Sequence, residues 1–152
     1  MEFESITFNE SRTLINKILN YEPSNNYELT PNEIFCVVEE TGIILEGKRI
    51  LDWGEFELGK IEISIEEIIK NTKIEYQSEE PLIIISDECF EDQKAFKIPT
   101  NKIKEFAEKT YPMLYNMKLI QPFDLIFIQP STKTISMIHH EGIIMEYYIK
   151  SC

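Results

Sequence analysis

Residues 123–149 read FDLIFIQPSTKTISMIHHEGIIMEYYI, a stretch in which three apolar runs are separated by two turn signals. The runs are residues 123–129, 134–140 and 143–149. Pro130 and Gly142 mark the intervening turns, since proline and glycine interrupt regular structure. Three short strands joined by tight turns pair as an antiparallel meander. The sequence therefore predicts such a meander in the C-terminal part of the chain.

Shorter patterns upstream predict further strands and four helices. Strands are predicted at residues 43–45, 55–58, 61–65, 82–85 and 95–98. Helices are predicted at residues 10–20, at 31–41, in a short segment after Ser64, and at 101–111, with Thr30 and Thr100 as N-caps. Residues 82–85 and 123–128 are apolar throughout, which predicts central strands covered on both faces. We expect one α+β domain over residues 1–152: a mainly antiparallel sheet with the C-terminal meander, and about four helices packed on it.

Two local expectations follow from particular residues. Phe56 and Leu58 are expected to face the core, and Gly59 with Lys60 to form a turn or bulge, because the inward parity changes between the two flanking strands. Pro112 is expected to end or kink the last predicted helix, since proline lacks the N–H that a helix needs.

Acidic residues are concentrated in one part of the chain. Residues 22–92 hold 19 of the 27 Asp and Glu but 5 of the 15 Lys and Arg, a net charge of −14, whereas residues 93–152 carry +3. A one-sided charge distribution acts on partners rather than on the fold. We expect a directional acidic surface that favours a basic partner. Nucleic acid and anionic membranes are disfavoured, because both are bound through Lys and Arg.

Several function classes lack support in the sequence. No apolar run has the length of a membrane span and the first residues lack the features of a secretory signal, so a cytoplasmic location is expected. Cys36, Cys89 and Cys152 are widely spaced and odd in number, which predicts neither disulfides nor a thiolate zinc site. Cys36 is expected to be a small buried side chain, and Cys89 to have a raised thiol pKa beside carboxylates. No nucleophile elbow, phosphate loop, dinucleotide glycine pattern or zinc-protease motif occurs, so an enzyme is not favoured and no cofactor is expected.

His139, His140 and Glu141 form the one cluster in the sequence that resembles metal ligands. On a strand, neighbouring side chains point to opposite faces, so both histidines are not expected to reach one ion unless the strand bulges. No third or fourth ligand is identifiable at a useful spacing. A structural role near the end of the hairpin is favoured, and metal binding or catalysis is the alternative.

Asp87, Glu88, Glu91 and Asp92 place four carboxylates just after the predicted strand 82–85. Loops at strand ends often carry binding sites, but the spacing and central glycine of an EF-hand are absent. A solvated loop is the simplest interpretation. A protein-binding acidic loop is the second, and a metal site or acid–base pair the third.

Trp53, Glu55 and Glu57 are expected to share the solvent side of the strand whose other side carries Phe56 and Leu58. An exposed tryptophan beside carboxylates suits a protein interface, because the ring supplies contact area and the acids steer a cationic partner. The alternative is that Trp53 covers the sheet edge as part of the core.

A series of segments in the C-terminal half forms a recognisable pattern. They are residues 84–90 (IISDECF), residues 98–100 (IPT) with Ile103 and Phe106, residues 124–127 (DLIF) and residues 138–142 (IHHEG). This pattern resembles small stand-alone bacterial proteins classed near toxin immunity proteins, over residues 82–149. The resemblance implies a bacterial cytosolic protein that binds and blocks a cognate toxin without a cofactor. Immunity proteins recognise their partners individually, so no binding residue is carried over.

Charge, motifs and resemblance together favour a non-enzymatic binding protein of the immunity or antitoxin type. It would neutralise a basic cognate toxin, for example of the nuclease type, through an acidic surface. The expected contact residues are Trp53, Glu55, Glu57, Asp87, Glu88, Glu91 and Asp92. The alternative is a small metal-binding protein or metalloenzyme that uses His139, His140 and Glu141.

Overall fold

One antiparallel sheet links the described parts of the chain. The computed structural model describes residues 3–43, 46–49, 52, 58–59, 63–121 and 123–148. The strands in these ranges are β1 (Glu4–Thr7), β2 (Glu46–Arg49), β3 (Pro81–Ser86), β4 (Lys94–Pro99), β5 (Leu125–Gln129), β6 (Thr134–Ile138) and β7 (Ile143–Tyr147). Their order is β1-β4-β3-β5-β6-β7-β2, and each neighbouring pair is antiparallel. The predicted α+β class, the antiparallel sheet and the meander β5-β6-β7 are confirmed.

Helices cover both faces of this sheet. They are α1 (Phe8–Leu19), α2 (Pro31–Glu40), α3 (Ile65–Lys70), α4 (Cys89–Asp92), α5 (Ile103–Glu105) and α6 (Tyr111–Tyr115), with a π-helical turn (Phe106–Thr110) before α6 and 3-10 turns at Thr100–Lys102 and Pro130–Thr132. α1 and α2 share one core with Ile83 and Ile85, whereas α3, α5 and α6 share the other with Leu82 and Ile84. These four β3 side chains are at most 1% exposed, so the predicted doubly covered strand is confirmed. Among the described residues, no helix combines the length and apolar composition needed to cross a bilayer.

Side-chain caps start two predicted helices where the sequence indicates. The Thr30 hydroxyl accepts the Glu33 backbone N–H at 3.2 Å, and Ser64 caps α3 in the same way. Thr100 is different, because its buried hydroxyl donates to the Glu80 carbonyl at 2.7 Å. The prediction of Thr100 as an N-cap is therefore wrong.

The helical stretch near Pro112 continues past the proline. Its backbone widens into the π-helical turn, in which the Tyr111 N–H donates to the Phe106 carbonyl, and α6 then runs to Tyr115. In an α-helix a proline ring clashes with the carbonyl group four residues before it, and the wider π-helical turn that precedes Pro112 relieves this clash. The helix expected to end or kink at Pro112 does not end there, and the distortion takes the form of a π-helical turn.

The segment between β2 and α3 differs from its prediction. Leu58 is 70% exposed, so its expected position in the core is wrong. It lies in a turn with Gly59 rather than in the predicted strand 55–58, and the predicted turn is confirmed at Gly59, whose φ of +73° suits glycine. Because Ser64 caps α3, the predicted strand 61–65 is wrong at its last three residues. Trp53, Glu55, Phe56, Glu57 and Lys60 lie outside the described residues, and the expectations for them stay predictions.

The two edge strands are the least predictable part of the sheet. β1 has no counterpart among the predicted strands, because its four residues include a single half-buried apolar side chain, Ile6. Of the predicted strand 43–45, Ile43 is not in a strand and residues 44 and 45 lie outside the described residues, whereas β2 spans Glu46–Arg49 and pairs Gly47 with Met145. Edge strands bury fewer side chains than central ones, so their apolar pattern is weak.

Cys36 lies on the solvent side of α2. The helical period places Ile34, Val37 and Val38 in the core, and Cys36 is exposed. The prediction of a buried Cys36 is therefore wrong.

Candidate functional site

Two clusters that are distant in sequence meet at one end of the central strands. β3 ends, β5 begins and β6 ends there, because Leu125 pairs with Ser86 on one side and with Ile138 on the other. The residues beyond these strand ends therefore emerge together. We call this group the acidic end: Asp87, Glu88, Glu91, Asp92, Asp124, His139, His140 and Glu141.

His139 and His140 lie in the turn between β6 and β7. Their ring centroids are 3.9 Å apart with 33° between the ring planes. The prediction of rings on opposite faces is wrong, because β6 stops at Ile138 and strand alternation ends with it. The His139 N–H donates to the Ile143 carbonyl at 2.8 Å, and Gly142 bonds back to the His139 carbonyl at 2.9 Å with a φ of +87°. This turn brings both rings together.

Asp124, rather than Glu141, is the carboxylate closest to the paired histidines. Its Oδ1 lies 3.0 Å from His140 Nδ1 and accepts the His140 backbone N–H at 2.9 Å. The carboxylate of Glu141 is 3.9 Å from His139 Nδ1. One ligand-type atom from each of Asp124, His139 and His140 lies within 4.8 Å of the others. The expectation that the histidines lack a third potential ligand is therefore wrong.

The signal that could have found Asp124 is the register of the meander. Leu125 stands opposite Ile138, so the residue before Leu125 falls beside the residue after Ile138. Spacing along the chain conceals this, because Asp124 and His139 are joined by a whole hairpin.

Asp87 adds a second carboxylate beside Asp124. Its side chain accepts the Asp124 backbone N–H, which joins the end of β3 to the start of β5. Partial burial of the carboxyl group raises the pKa of Asp87, and the charges of Asp124 and Glu88 raise it further, although the residue as a whole is exposed. His140 acts in the opposite direction. The two aspartates are therefore close enough to repel each other electrostatically.

The segment predicted as a solvated acidic loop contains a single helical turn, α4. Cys89 anchors it from below, since the residue is 1% exposed and its Sγ accepts the Ser86 N–H at 3.4 Å. Phe90 packs edge-on against Phe8 with 5.1 Å between ring centroids. Gln93, with a φ of +55°, ends the turn. These contacts fix the backbone from which the exposed Glu91 and Asp92 project.

Cys89 is held in its unreactive thiol form. Burial raises the pKa of the Cys89 thiol, and the charges of Glu88 and Asp92 add to that effect, whereas hydrogen bonds from Ser86 oppose it. The predicted direction is confirmed, with burial rather than the carboxylates as the main cause.

In the described part of the chain, the carboxylates of the segment 87–92 have no lysine or arginine partner. Within the described ranges, no such cation lies within 4.0 Å of the Asp87, Glu88, Glu91 or Asp92 side chains. Elsewhere, Glu4 and Glu66 pair with lysines at 3.7 and 3.2 Å. Lys94 begins β4 at the same end of the strands and forms no ion pair in the described chain.

The acidic stretch 22–92 does not form one face. α2 carries Glu33, Glu39 and Glu40 on one side of the sheet, and α3 carries Glu66 and Glu67 on the other. For the described residues, the predicted one-sided surface is therefore wrong. Four carboxylates of that stretch lie at the acidic end instead, where Asp124 and Glu141 join them from outside the stretch.

Carboxylates and imidazoles supply the exposed polar groups of the acidic end. Its carboxylates attract cations and its imidazoles can bind protons or metal ions. Ser86 and Cys89, the nearest hydroxyl and thiol along β3 and α4, are both buried. No protein-family model, curated protein or solved structure matches this chain.

Proposed function

We propose that this is a non-enzymatic binding protein that holds and neutralises a basic protein partner through its acidic end. The proposal keeps the immunity or antitoxin type that the sequence resembles, and a basic toxin of the nuclease type as the partner. The observation that carries it is the group of carboxylates at 87–92, which lies beside Asp124 and forms no ion pair with lysine or arginine in the described chain.

Charge favours this proposal over a purely structural role. Like charges that are brought together cost free energy, so a fold without use for them gains by dispersing or pairing them. A basic partner would remove that repulsion on binding. Complementary charges also raise association from roughly 10⁵–10⁶ to as much as 10⁸–10⁹ M⁻¹s⁻¹ at low salt.

Fixed backbone favours it as well. Cys89 and Phe90 hold α4 from inside, and Asp87 accepts the Asp124 backbone N–H. A partner would therefore meet carboxylates on an ordered surface. Less conformational entropy is then lost on binding than with a mobile loop.

Affinity capture with a matched pair of variants tests the proposal. The tagged protein is incubated at low salt with an extract of cells that naturally produce it, and retained proteins are identified by mass spectrometry. The test variant is D87N/E91Q/D92N. The control is E28Q/E33Q/E39Q, which removes the same number of charges from exposed positions before and on α2.

We expect wild type and control to retain a basic protein whose toxic activity is inhibited in the complex, and the test variant to lose it. With the purified partner, the test variant should associate about tenfold more slowly at low salt, and the difference should shrink as salt screens the charges. Equal retention by both variants, or a partner with an acidic surface, would contradict the proposal.

Trp53, Glu55 and Glu57 enter the proposal as a separate contact region. Reversing the charges of Glu55 and Glu57 should slow association at low salt if that region faces the partner. An unchanged rate would remove these residues from the interface and leave the acidic end as the tested surface.

A further inference from the structure

The ligand-type atoms of one carboxylate and two imidazoles converge at the acidic end. We propose that Asp124, His139 and His140 form a surface binding site for one divalent transition-metal ion of the zinc type. This inference goes beyond partner binding and does not depend on it, because it rests on the donor atoms of these three side chains alone.

The donor set determines the class of ion. Imidazole nitrogen suits zinc, copper and nickel, whereas calcium and magnesium prefer sites made of oxygen alone. Two imidazoles and one carboxylate are a set found in zinc sites that keep a coordination position open. The site therefore fits an ion that holds at least one water or exchangeable ligand besides the protein.

The distances are close to those that an ion requires. Zn–N and Zn–O bonds are about 2.0–2.2 Å, so tetrahedral ligand atoms lie roughly 3.4 Å apart. Asp124 Oδ1 and His140 Nδ1 are already 3.0 Å apart, and the widest separation in the group is at most 4.8 Å. Closing the widest separation requires a movement of about 1–1.5 Å, which small side-chain rotations supply.

Two neighbouring carboxylates support the site without being ligands. Asp87 interacts electrostatically with Asp124, and an ion would relieve the repulsion between these two charges. The Glu141 carboxylate lies 3.9 Å from His139 Nδ1, which is too far for a hydrogen bond, and that nitrogen accepts the Glu141 backbone N–H at 3.2 Å. Glu141 therefore adds negative charge beside the site, and its predicted role as a ligand passes to Asp124.

An ion can reach this site from solvent. The side chains of His139, Asp124 and His140 are 14%, 27% and 53% exposed, so the more exposed ring can rotate while the others stay in place. The hydrogen bond between Asp124 and the His140 backbone already fixes one carboxylate oxygen near both rings.

Zinc titration by isothermal calorimetry tests the site. All measurements use a C36S/C152S background, because Cys36 is exposed and a free thiol binds zinc by itself. We expect one zinc ion per chain and a higher melting temperature with zinc, since an ion that binds the folded state stabilises it. Millimolar magnesium or calcium should not displace the zinc.

Single substitutions identify the ligands. H139A, H140A and D124N should each weaken zinc affinity at least tenfold, E141Q should weaken it less, and D92N should leave it within twofold. D92N is the matched control, because it removes one charge from the acidic end and keeps the three donors. Circular dichroism confirms that each variant is folded.

NMR spectra of the imidazole rings, recorded on the protein that keeps Asp124, His139 and His140, provide an independent measurement. Zinc should shift the ring resonances of both histidines together at one equivalent. The proposal is overturned by the absence of saturable zinc binding, by equal loss in D92N and D124N, or by displacement with magnesium. Shifts of one ring alone would also overturn it.

Discussion

The two ends of the central strands β3, β5 and β6 carry opposite kinds of polar chemistry. We call one of them the neutral end: Gln129, Thr100, Thr132 and Thr134, with the backbone of Glu75. Gln129 is 0% exposed, accepts the Glu75 N–H at 2.8 Å and donates to the Glu75 carbonyl at 3.1 Å. Each of its polar atoms has a partner within the protein.

The acidic end of the same strands is open to solvent and carries charge. The carboxylates of residues 87–92 are grouped there without lysine or arginine partners in the described chain, and the two imidazole rings lie with their centroids 3.9 Å apart. Buried neutral groups with complete hydrogen bonds stabilise a fold. Grouped exposed charges do not stabilise it and act on other molecules. The comparison therefore associates stability with one end and supports the proposed binding role for the other.

The largest expected effect concerns the thiol beneath the acidic end. In a C152S background, we expect a soluble disulfide reagent to modify Cys89 at least about 10³-fold more slowly than Cys36. Cys89 is buried and burial raises its pKa, whereas Cys36 is exposed, and access to Cys89 requires an unfolding step that is rare in a stable domain. Absorbance of the released thiol measures both rates.

The variant C36S/C152S isolates the slow reaction. If the acidic end is ordered, the rate for Cys89 should follow the global unfolding equilibrium as urea is added. A rate within tenfold of Cys36 would mean that α4 opens locally, and the rigidity used in the binding proposal would be lost.

The second expected effect is a loss of stability at the neutral end. Gln129→Leu should lower the free energy of unfolding by about 3 kcal/mol, because it leaves the Glu75 backbone N–H and carbonyl without their partner and removes one hydrogen bond from each of the Thr100 and Thr132 hydroxyls. Urea denaturation measures the change. Gln121→Leu is the control, since that side chain bonds only one nearby carbonyl, and we expect a change within about 0.5 kcal/mol. A loss below about 1 kcal/mol in Gln129→Leu would remove the structural role of the network.

Apolar periodicity predicts the middle of the strands better than their ends. β3 and β5 are buried on both faces, and an uninterrupted run of large apolar side chains is the local consequence. Where β6 stops depends on the turn at Gly142 and on the bond from His139 to the Ile143 carbonyl. Those contacts span the hairpin, so no single-strand pattern contains them.

Charge counting along the chain fails for a related reason. The stretch 22–92 is acidic as a sequence, but α2 and α3 pack on opposite faces of the sheet. The face taken by each connecting helix depends on the complete sheet. The position of Asp124 beside the histidines was predictable in principle. If Gln129 pairs with Thr134, the same register extended along the two strands places Asp124 opposite His139. That register requires the geometry of the turn at residues 130–133, which composition alone leaves open.

The third prediction concerns the acidic end without a partner. Neutralising Asp87, Glu91 and Asp92 with the variant D87N/E91Q/D92N should leave the free energy of unfolding unchanged or raise it by about 0.5 kcal/mol, because the substitutions remove repulsion between like charges. The bond to the Asp124 N–H is kept, since the amide oxygen introduced by Asp87→Asn is also an acceptor. Any gain should disappear in about 0.5 M salt. A loss above about 1 kcal/mol in urea denaturation would make this end structural.

The smallest expected effect concerns Glu146, which lies between the two ends. Its Oε2 accepts the Ser136 hydroxyl at 2.6 Å and the Lys73 N–H at 2.7 Å, and burial raises the pKa of Glu146 despite these bonds. A carboxyl group with a raised pKa in the folded state loses its proton first in the unfolded state. Stability therefore falls as the pH rises from the unfolded pKa toward the folded one.

Glu146→Gln removes this titration and keeps an oxygen acceptor, so the stability of the variant relative to wild type should increase as the pH rises above the ordinary glutamate pKa of about 4.3. Thermal melts at a series of pH values measure the slope, and Glu39→Gln, on the exposed side of α2, controls for the loss of one charge. An opposite slope would mean that the two hydrogen bonds outweigh desolvation. Glu146 would then resemble the neutral end, where hydrogen bonds compensate for burial, rather than a site at which burial destabilises the charged carboxylate.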